Sequence, residues 1–563
     1  MKSYVTKQNI RTCILLLFVL ISVFFTSPKF FSQWMYRPDN HVFVGMTTYF
    51  EDFYYYLDQF YQGAHGNWLT ENRFSIDRFP ATFIYFPHIL LGKIGGFFGF
   101  ESFQSYNYFG LLFKFLFILF AYFVVQLFVP KNFTSQMIVM GIFIFSSALP
   151  NISLHDGSFH FDRAVDVFRS ANRVLARFGT SPSGMLANSL AILVFLQLYR
   201  FLSTELVSKR THTLSDIMNV HIPWKHFLLI ALFYFLIVCA DPFIALVLIA
   251  SFGVALIAKK ISIRSVPIFI SLVGVLLFIL TGVGIILSIY VHADPVYTQA
   301  NFWDIQQYLR QIKSGGILHY IEGFGLQMPL GVFGIYLLIR KKQKSLIEQL
   351  CISILCISLL GYGIPLLFQL PATGFRFLFP AVYVFLSVCT YMSIRYFATY
   401  IHHPKAETLL LCVYFCINLL TFLRGWTAEI QPLSEPAYHF AYIPDALYEG
   451  FLFLRTAEPL HGNVLASSST SIDIMIPGLT GRYTYSGHPL TTYRAKTRDN
   501  NSSKFFFKWT DGAETRDFLK SHNIRFIFVT AYAYVAQDMK TYYPFLHVAF
   551  ENPLVTIFRY DPE

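Results

Sequence analysis

The stretch FGLLFKFLFILFAYFVVQLF, Phe109–Phe128, runs for twenty residues with a single charge, Lys114. A helix rises 1.5 Å per residue, so about 20 such residues match the roughly 30 Å hydrocarbon core of a bilayer. The run reads as a membrane span. Ten further apolar runs share its character: Ile10–Thr26, Gln136–Leu149, Gly184–Phe201, Phe227–Ala240, Pro242–Ala258, Val266–Tyr290, Met328–Ile339, Leu346–Phe368, Leu378–Ile394 and Thr408–Phe422.

Composition agrees. Hydrophobic residues are 55% of the 563, charged residues only 13%, and mean hydropathy is +0.49. That charge content is about half of what a soluble domain carries, which excludes a water-soluble globule and disorder alike. The net charge of +11 fits anchoring of loops at a membrane rather than nucleic-acid binding. All seven cysteines sit inside apolar runs and read as small hydrophobes, not as disulfides or metal ligands.

Orientation follows from the basic loops. Lys131; Lys209, Arg210 and Lys225; Lys259, Lys260 and Arg264; Arg340, Lys341, Lys342 and Lys344; and Arg395 with Lys405 fall in every second loop. The positive-inside rule then gives about eleven spans (thirteen at most), N-terminus in the cytoplasm and C-terminus outside. The apolar stretch Phe79–Phe100 would break this alternation if it crossed. With Pro80, Pro87, His88 and Lys93, it reads as a re-entrant or interfacial helix.

The sequence thus predicts a polytopic all-α membrane domain, 1–423, with outer loops at 28–107, 151–183 and 291–327. An extracytoplasmic α/β domain follows at 424–563. Strand-like runs at Val464–Ser467, Ile524–Val529 and His547–Arg559 flank a short helix, Thr515–His522, and Asp511 and Glu514 have capping-box spacing ahead of it. The aromatic stretch Gly425–Glu458 is expected to lie along the membrane interface, holding this domain down as a cap on the outer cavity.

Chemistry concentrates in the outer pieces. In Tyr49–Gly63, helical spacing puts Glu51, Tyr55 and Asp58 on one face and Asp52, Tyr56 and Gln59 on the next. Two adjacent carboxylates fenced by tyrosines suit general-base work, and the same pattern suits an amphipathic helix lying on the bilayer. The second loop carries His155, Asp156, His160 and Asp162, then Arg163, Arg169, Arg173 and Arg177. Its histidines and aspartates could ligate a divalent cation and its arginines a phosphate, or the arginines could form a solvated or headgroup-facing stripe. In the C-terminal segment, Thr480-Gly481-Arg482 and Tyr485-Ser486-Gly487-His488 form a glycine-punctuated loop able to present Arg482 and His488 to a bound phosphate or sugar, or simply to make turns.

An uncleaved first span, an outer loop with an acidic pair ahead of tyrosines, a proline-bearing apolar helix and a second acidic outer loop resemble the polytopic GT-C glycosyltransferases. The run Pro477–His488 is similar to a stretch in bacterial members behind the last span. The resemblance extends over nearly the whole chain on short motifs. The Trp-Trp-Asp signature of oligosaccharyltransferases is absent, so protein N-glycosylation is not implied.

What the resemblance implies is an inverting transfer, outside the cytoplasm of the plasma membrane, from a polyprenyl-phosphate sugar donor to the hydroxyl of a saccharide or lipid acceptor. Asp52 would be the catalytic base, with Glu51 beside it. Asp156 and Asp162 would form a second acidic site for substrate hydroxyls or a divalent metal ion (Mg or Mn). Tyr55, Arg376, Arg482 and His488 would bind substrate, Arg376 offsetting the charge of the departing phosphate. A flippase for lipid-linked saccharides, or a non-catalytic assembly protein of the cell envelope, are the alternatives. The spans, nearly bare of charge, speak against transport.

Overall fold

The computed structural model describes residues 2–562 except 48, 84, 131, 156–157, 163–173, 209–223, 259–267, 293–304, 308–309, 311–321, 369–373, 431–440, 508–510 and 532–535. Six helices in it are long and apolar enough to cross a membrane: Gln8–Phe25, Ser102–Phe128, Pro182–Arg200, Leu346–Ile364, Val382–Ile401 and Ala406–Ile430. Shorter apolar helices at Phe133–Phe145, Leu228–Ala240, Pro242–Ala258, Gly274–Ile286 and Gln327–Arg340 lie where the remaining spans are expected. This is a multi-pass membrane protein.

The chain forms two compact units. One is built from Met1–Pro28, Leu111–Leu287 and Asp304–Ile430, and the other chiefly from Lys29–Gly110 and Gln431–Glu563. This differs from the division expected at 423/424, which falls inside the helix Ala406–Ile430. The first outer loop belongs with the C-terminal segment, because the two share a backbone ladder. His41–Phe43 pairs antiparallel with Tyr442–Pro444, and Ser75 bridges Ser486.

In the membrane unit, helices approach closely where glycine removes a side chain. A Cβ on Gly334 would overlap the Cys389 carbonyl, so Gln327–Arg340 packs directly on Val382–Ile401. Arg177 is fully buried. It donates to the carbonyls of Phe143 and, at 3.2 Å, Ser146, and to Gln327 Oε1 at 3.2 Å, with its guanidinium 4.3 Å from the centre of the Tyr383 ring. A guanidinium thus satisfies carbonyls at the end of Phe133–Phe145 that helix geometry leaves open. Neither a phosphate-binding nor a headgroup-facing role fits this arginine; Arg163, Arg169 and Arg173 lie outside the described residues. The described cysteines are free thiols, and buried Cys351 and Cys389 touch at 3.8 Å.

In the second unit a four-stranded sheet runs Asn463–Ala466, Ile524–Thr530, Val555–Arg559, His547–Glu551 in spatial order. The first pair is parallel and the others antiparallel. The run expected as one strand at 547–559 is a hairpin, because Asn552 Oδ1 accepts from the backbone of Leu554 at 3.0 Å and Val555 at 2.9 Å and turns the chain. The helix at Gly512–Ser521 starts after Asp511, whose side chain makes no capping bond. Leu465, Phe505, Phe506, Ile527, Tyr543 and Phe558 are among its core. The aromatics of 425–458 do not simply line an interface: Tyr442 and Phe451 are buried, Phe451 stacking on Phe528 at 5.3 Å.

The apolar stretch 79–100 contains one helix, Phe86–Phe97, of twelve residues. At 1.5 Å per residue it is about 18 Å long, well short of a hydrocarbon core.

Candidate functional site

Phe50–Ala64 forms a helix whose first turn is open and whose remainder is enclosed. Glu51 and Asp52 are half-buried, while Phe53, Tyr54, Leu57 and Phe60 are fully buried. Two helices clamp it. On Phe86–Phe97, a Cβ at Gly92 would overlap the Phe60 carbonyl, and one at Gly63 would overlap that of Ile89. On Ile472–Thr480, a Cβ at Gly478 would stand 2.9 Å from the Tyr54 carbonyl. Close backbone approach of this kind leaves little freedom to the acidic turn it ends in.

His488 completes the acidic end. Its ring is 5.6 Å from that of Tyr55 and 6.1 Å from that of Phe74, and the residue is buried. The Leu490 backbone N–H donates to Nδ1 at 3.1 Å, so in the neutral ring the proton resides on Nε2. That nitrogen lies 3.9 Å from Asp52 Oδ1, with the Asp52 side chain 39% exposed. Glu51 Oε2 is buried and has no hydrogen-bond partner. The Glu51 charge, followed by partial burial and Asp52, raises the Tyr49 phenol above its ordinary range.

Aromatic rings wall this end. Tyr55 meets Tyr85 edge-on at 5.5 Å, and Tyr56 lies 5.9 Å from Tyr85 and 4.8 Å from His88. Buried His88 contacts Gln59 Oε1 at 2.7 Å through Nδ1, and burial lowers it to about 3. One turn on, Asp58 is buried with Gln62 and Arg73, and burial, opposed by Arg73 and Gln62, pushes its carboxyl up to about 7. Tyr85 and Arg73 were not singled out from sequence. Each lies in an irregular stretch, beyond the reach of helical spacing.

Of the residues expected to act together, Glu51, Asp52, Tyr55 and His488 are neighbours. Arg482 requires a correction. Its guanidinium donates to the carbonyls of Leu454 and Ala457, and to those of Pro459 at 2.9 Å and Leu460 at 3.3 Å. It lies 4.7 Å from the Phe526 ring centre. It closes the end of the helix Asp445–Thr456, with four of its five N–H donors given to these carbonyls. Arg376 belongs to the membrane unit, 5.8 Å from the Phe243 ring centre. Asp156 lies outside the described residues. Asp162 ends the strand Ser158–Asp162, paired with Asn151, and its side chain is outside them too. Among the described residues no three His, Cys, Asp or Glu gather to hold a metal ion.

No protein-family model and no curated protein matches the sequence. Solved structures do match in shape. The oligosaccharyltransferase of Archaeoglobus fulgidus in its apo form superposes with a TM-score of 0.52 at 13% identity, over 92% of this chain and 69% of that one. The archaeal enzyme in complex with an inhibitory peptide and a dolichol-phosphate gives 0.51 at 12% identity, over 93% and 70%. A mycobacterial arabinofuranosyltransferase gives 0.51 at 13% identity, over 98% of this chain and 40% of that one. At such identities the likeness concerns architecture, and both of these proteins are GT-C glycosyltransferases; the chain has the GT-C fold.

Proposed function

We propose that this protein is an inverting membrane glycosyltransferase that moves a sugar from a polyprenyl-phosphate donor to an acceptor hydroxyl on a glycan, lipid or envelope polymer outside the cytoplasm. The observation that carries the reading is the Asp52 carboxylate at the open end of a clamped helix, faced by the Nε2–H of His488. Asp52 takes the proton of the acceptor hydroxyl, whose oxygen attacks the anomeric carbon from the face opposite the phosphate. The new C–O bond forms as the sugar–phosphate bond breaks, and polyprenyl phosphate leaves with the electron pair. Glu51, with its unpartnered Oε2, accepts a hydrogen bond from a sugar hydroxyl, and Tyr55 and Tyr85 offer ring faces and edges to the sugar.

Arg376 is assigned to the departing phosphate, and Asp156 and Asp162 to substrate hydroxyls or a Mg or Mn ion. The alternation of basic loops supports an N-terminus in the cytoplasm and a site on the far side of the plasma membrane. The archaeal structure with dolichol-phosphate supports a lipid-linked donor by analogy of fold. The test is Asp52→Asn in membranes supplied with a panel of labelled polyprenyl-phosphate sugars. The amide keeps size and removes basicity, so turnover should fall about 10²–10⁴-fold with donor binding retained. Unchanged turnover would end the assignment, and donor translocation without transfer would favour a flippase.

A further inference from the structure

The membrane unit contains a cavity of about 380 Å³ between the first helix, Lys2–Phe25, and the hairpin of Ser102–Phe128 with Phe133–Phe145. Its lining is graded. At the end where the first helix starts and the hairpin turns, it presents Gln8, Arg11, Gln126 and Gln136 with Tyr122; one to two turns deeper it presents Leu15, Leu16, Leu119 and Phe123. The two antiparallel helices follow the same gradient, polar toward the turn and apolar toward the bilayer centre.

The polar part is pre-formed. Gln126 Nε2 donates to the Tyr122 hydroxyl at 3.0 Å, the hydroxyl donates to Gln136 Oε1 at 2.9 Å, and Gln136 Nε2 donates to the Val129 carbonyl at 2.7 Å. This relay fixes the wall. Among the described residues Arg11 is the only charged one lining the cavity, and its guanidinium lies 5.8 Å from the centre of the Phe133 ring. Among the described residues no carboxylate lines the cavity to neutralise it. One cation among carboxamides selects an anion, and a phosphate suits the guanidinium fork. The adjoining leucines would be idle for a free anion but suit an acyl chain.

We propose that this cavity binds an anionic phospholipid, its phosphate on Arg11 and its acyl chain along Leu15, Leu16 and Leu119. The inference stands apart from the transfer reaction. The test uses the full-length protein in detergent, with dioleoylphosphatidylglycerol, dioleoylphosphatidylcholine or inorganic phosphate added, read by lipid retention in native mass spectrometry and by the thermal midpoint. Phosphatidylglycerol should be retained and raise the midpoint, and phosphatidylcholine and phosphate should do neither. Arg11→Lys should keep the effect. Arg11→Gln should weaken it at least about tenfold, the size of one lost charge-assisted hydrogen bond. Gln126→Trp, which fills the cavity without altering loop charge, should abolish it and decides the matter if Arg11→Gln fails to fold. Equal stabilisation by inorganic phosphate or phosphatidylcholine, or retention unchanged in Gln126→Trp, would overturn the proposal.

Discussion

Asp58 accepts a hydrogen bond from Gln62 Nε2 at 2.7 Å on Oδ2, while its Oδ1, buried and without a hydrogen bond, faces Arg73 Nη1 at 3.9 Å. One oxygen is served and the other is not. Burial outweighs the arginine, and the carboxyl rises from an ordinary 3.8 to about 7.

The native state therefore holds this proton more tightly than the unfolded chain does. Stability from Asp58 is fully present below about pH 4, falls as pH rises toward about 7 and is flat beyond. At about 1.4 kcal/mol per unit the full loss is at most about 4 kcal/mol. Thermal midpoints in detergent should decline across this window, and Asp58→Asn should remove the decline and leave the variant at least as stable as wild type at pH 8. A variant with the wild-type slope would assign the pH dependence to other groups.

His488 is expected to act through its proton on Nε2. His488→Gln should lower turnover by about tenfold, with the thermal midpoint changed little, because a neutral donor of different reach replaces the imidazole. His488→Phe should cost more. Kinetics and thermal shift measured on the same samples check this, and equal turnover for both variants would leave His488 with packing alone.

Arg482→Ala should destabilise rather than impair substrate use. Removing the guanidinium leaves the carbonyls of Leu454, Ala457, Pro459 and Leu460 without their donor, a loss of about 1–3 kcal/mol. Denaturation of the purified protein reads the change. A raised KM at an unchanged midpoint would contradict it.

Gly92→Ala should separate the helix of Asp52 from its neighbour, since the methyl meets the backbone of Phe60. Overpacking costs about 1–3 kcal/mol, and turnover should fall with it. Gly512, with nothing within 4 Å of an added Cβ, is the control, and Gly512→Ala should be neutral in both measurements.

Much of this was legible in the sequence because the bilayer reduces the folding problem to length and apolarity. The runs around Phe109–Phe128 and Thr408–Phe422 reappear as helices for that reason. Helical spacing likewise put Tyr55 and Asp52 on adjacent faces. Proximity across hundreds of residues was not legible. Nothing in the alternation of polar and apolar residues tells that Arg482 turns toward carbonyls, or that Tyr442 joins the ladder of Phe43. A glycine-flanked arginine looks alike whether it serves a ligand or a helix end.

The pairing of His41–Phe43 with Tyr442–Pro444 also sets an order of events during synthesis. The Asn72 side chain donates to the Thr491 carbonyl, and the Thr492 hydroxyl donates to that of Phe74, so the segment around the acidic helix has partners made roughly four hundred residues later. At about 5–20 residues per second, that segment waits on the order of 20–80 s for them. Until the chain has been made as far as residue 488, Asp52 has no His488 before it, so a shorter nascent chain lacks the histidine that the proposed reaction uses.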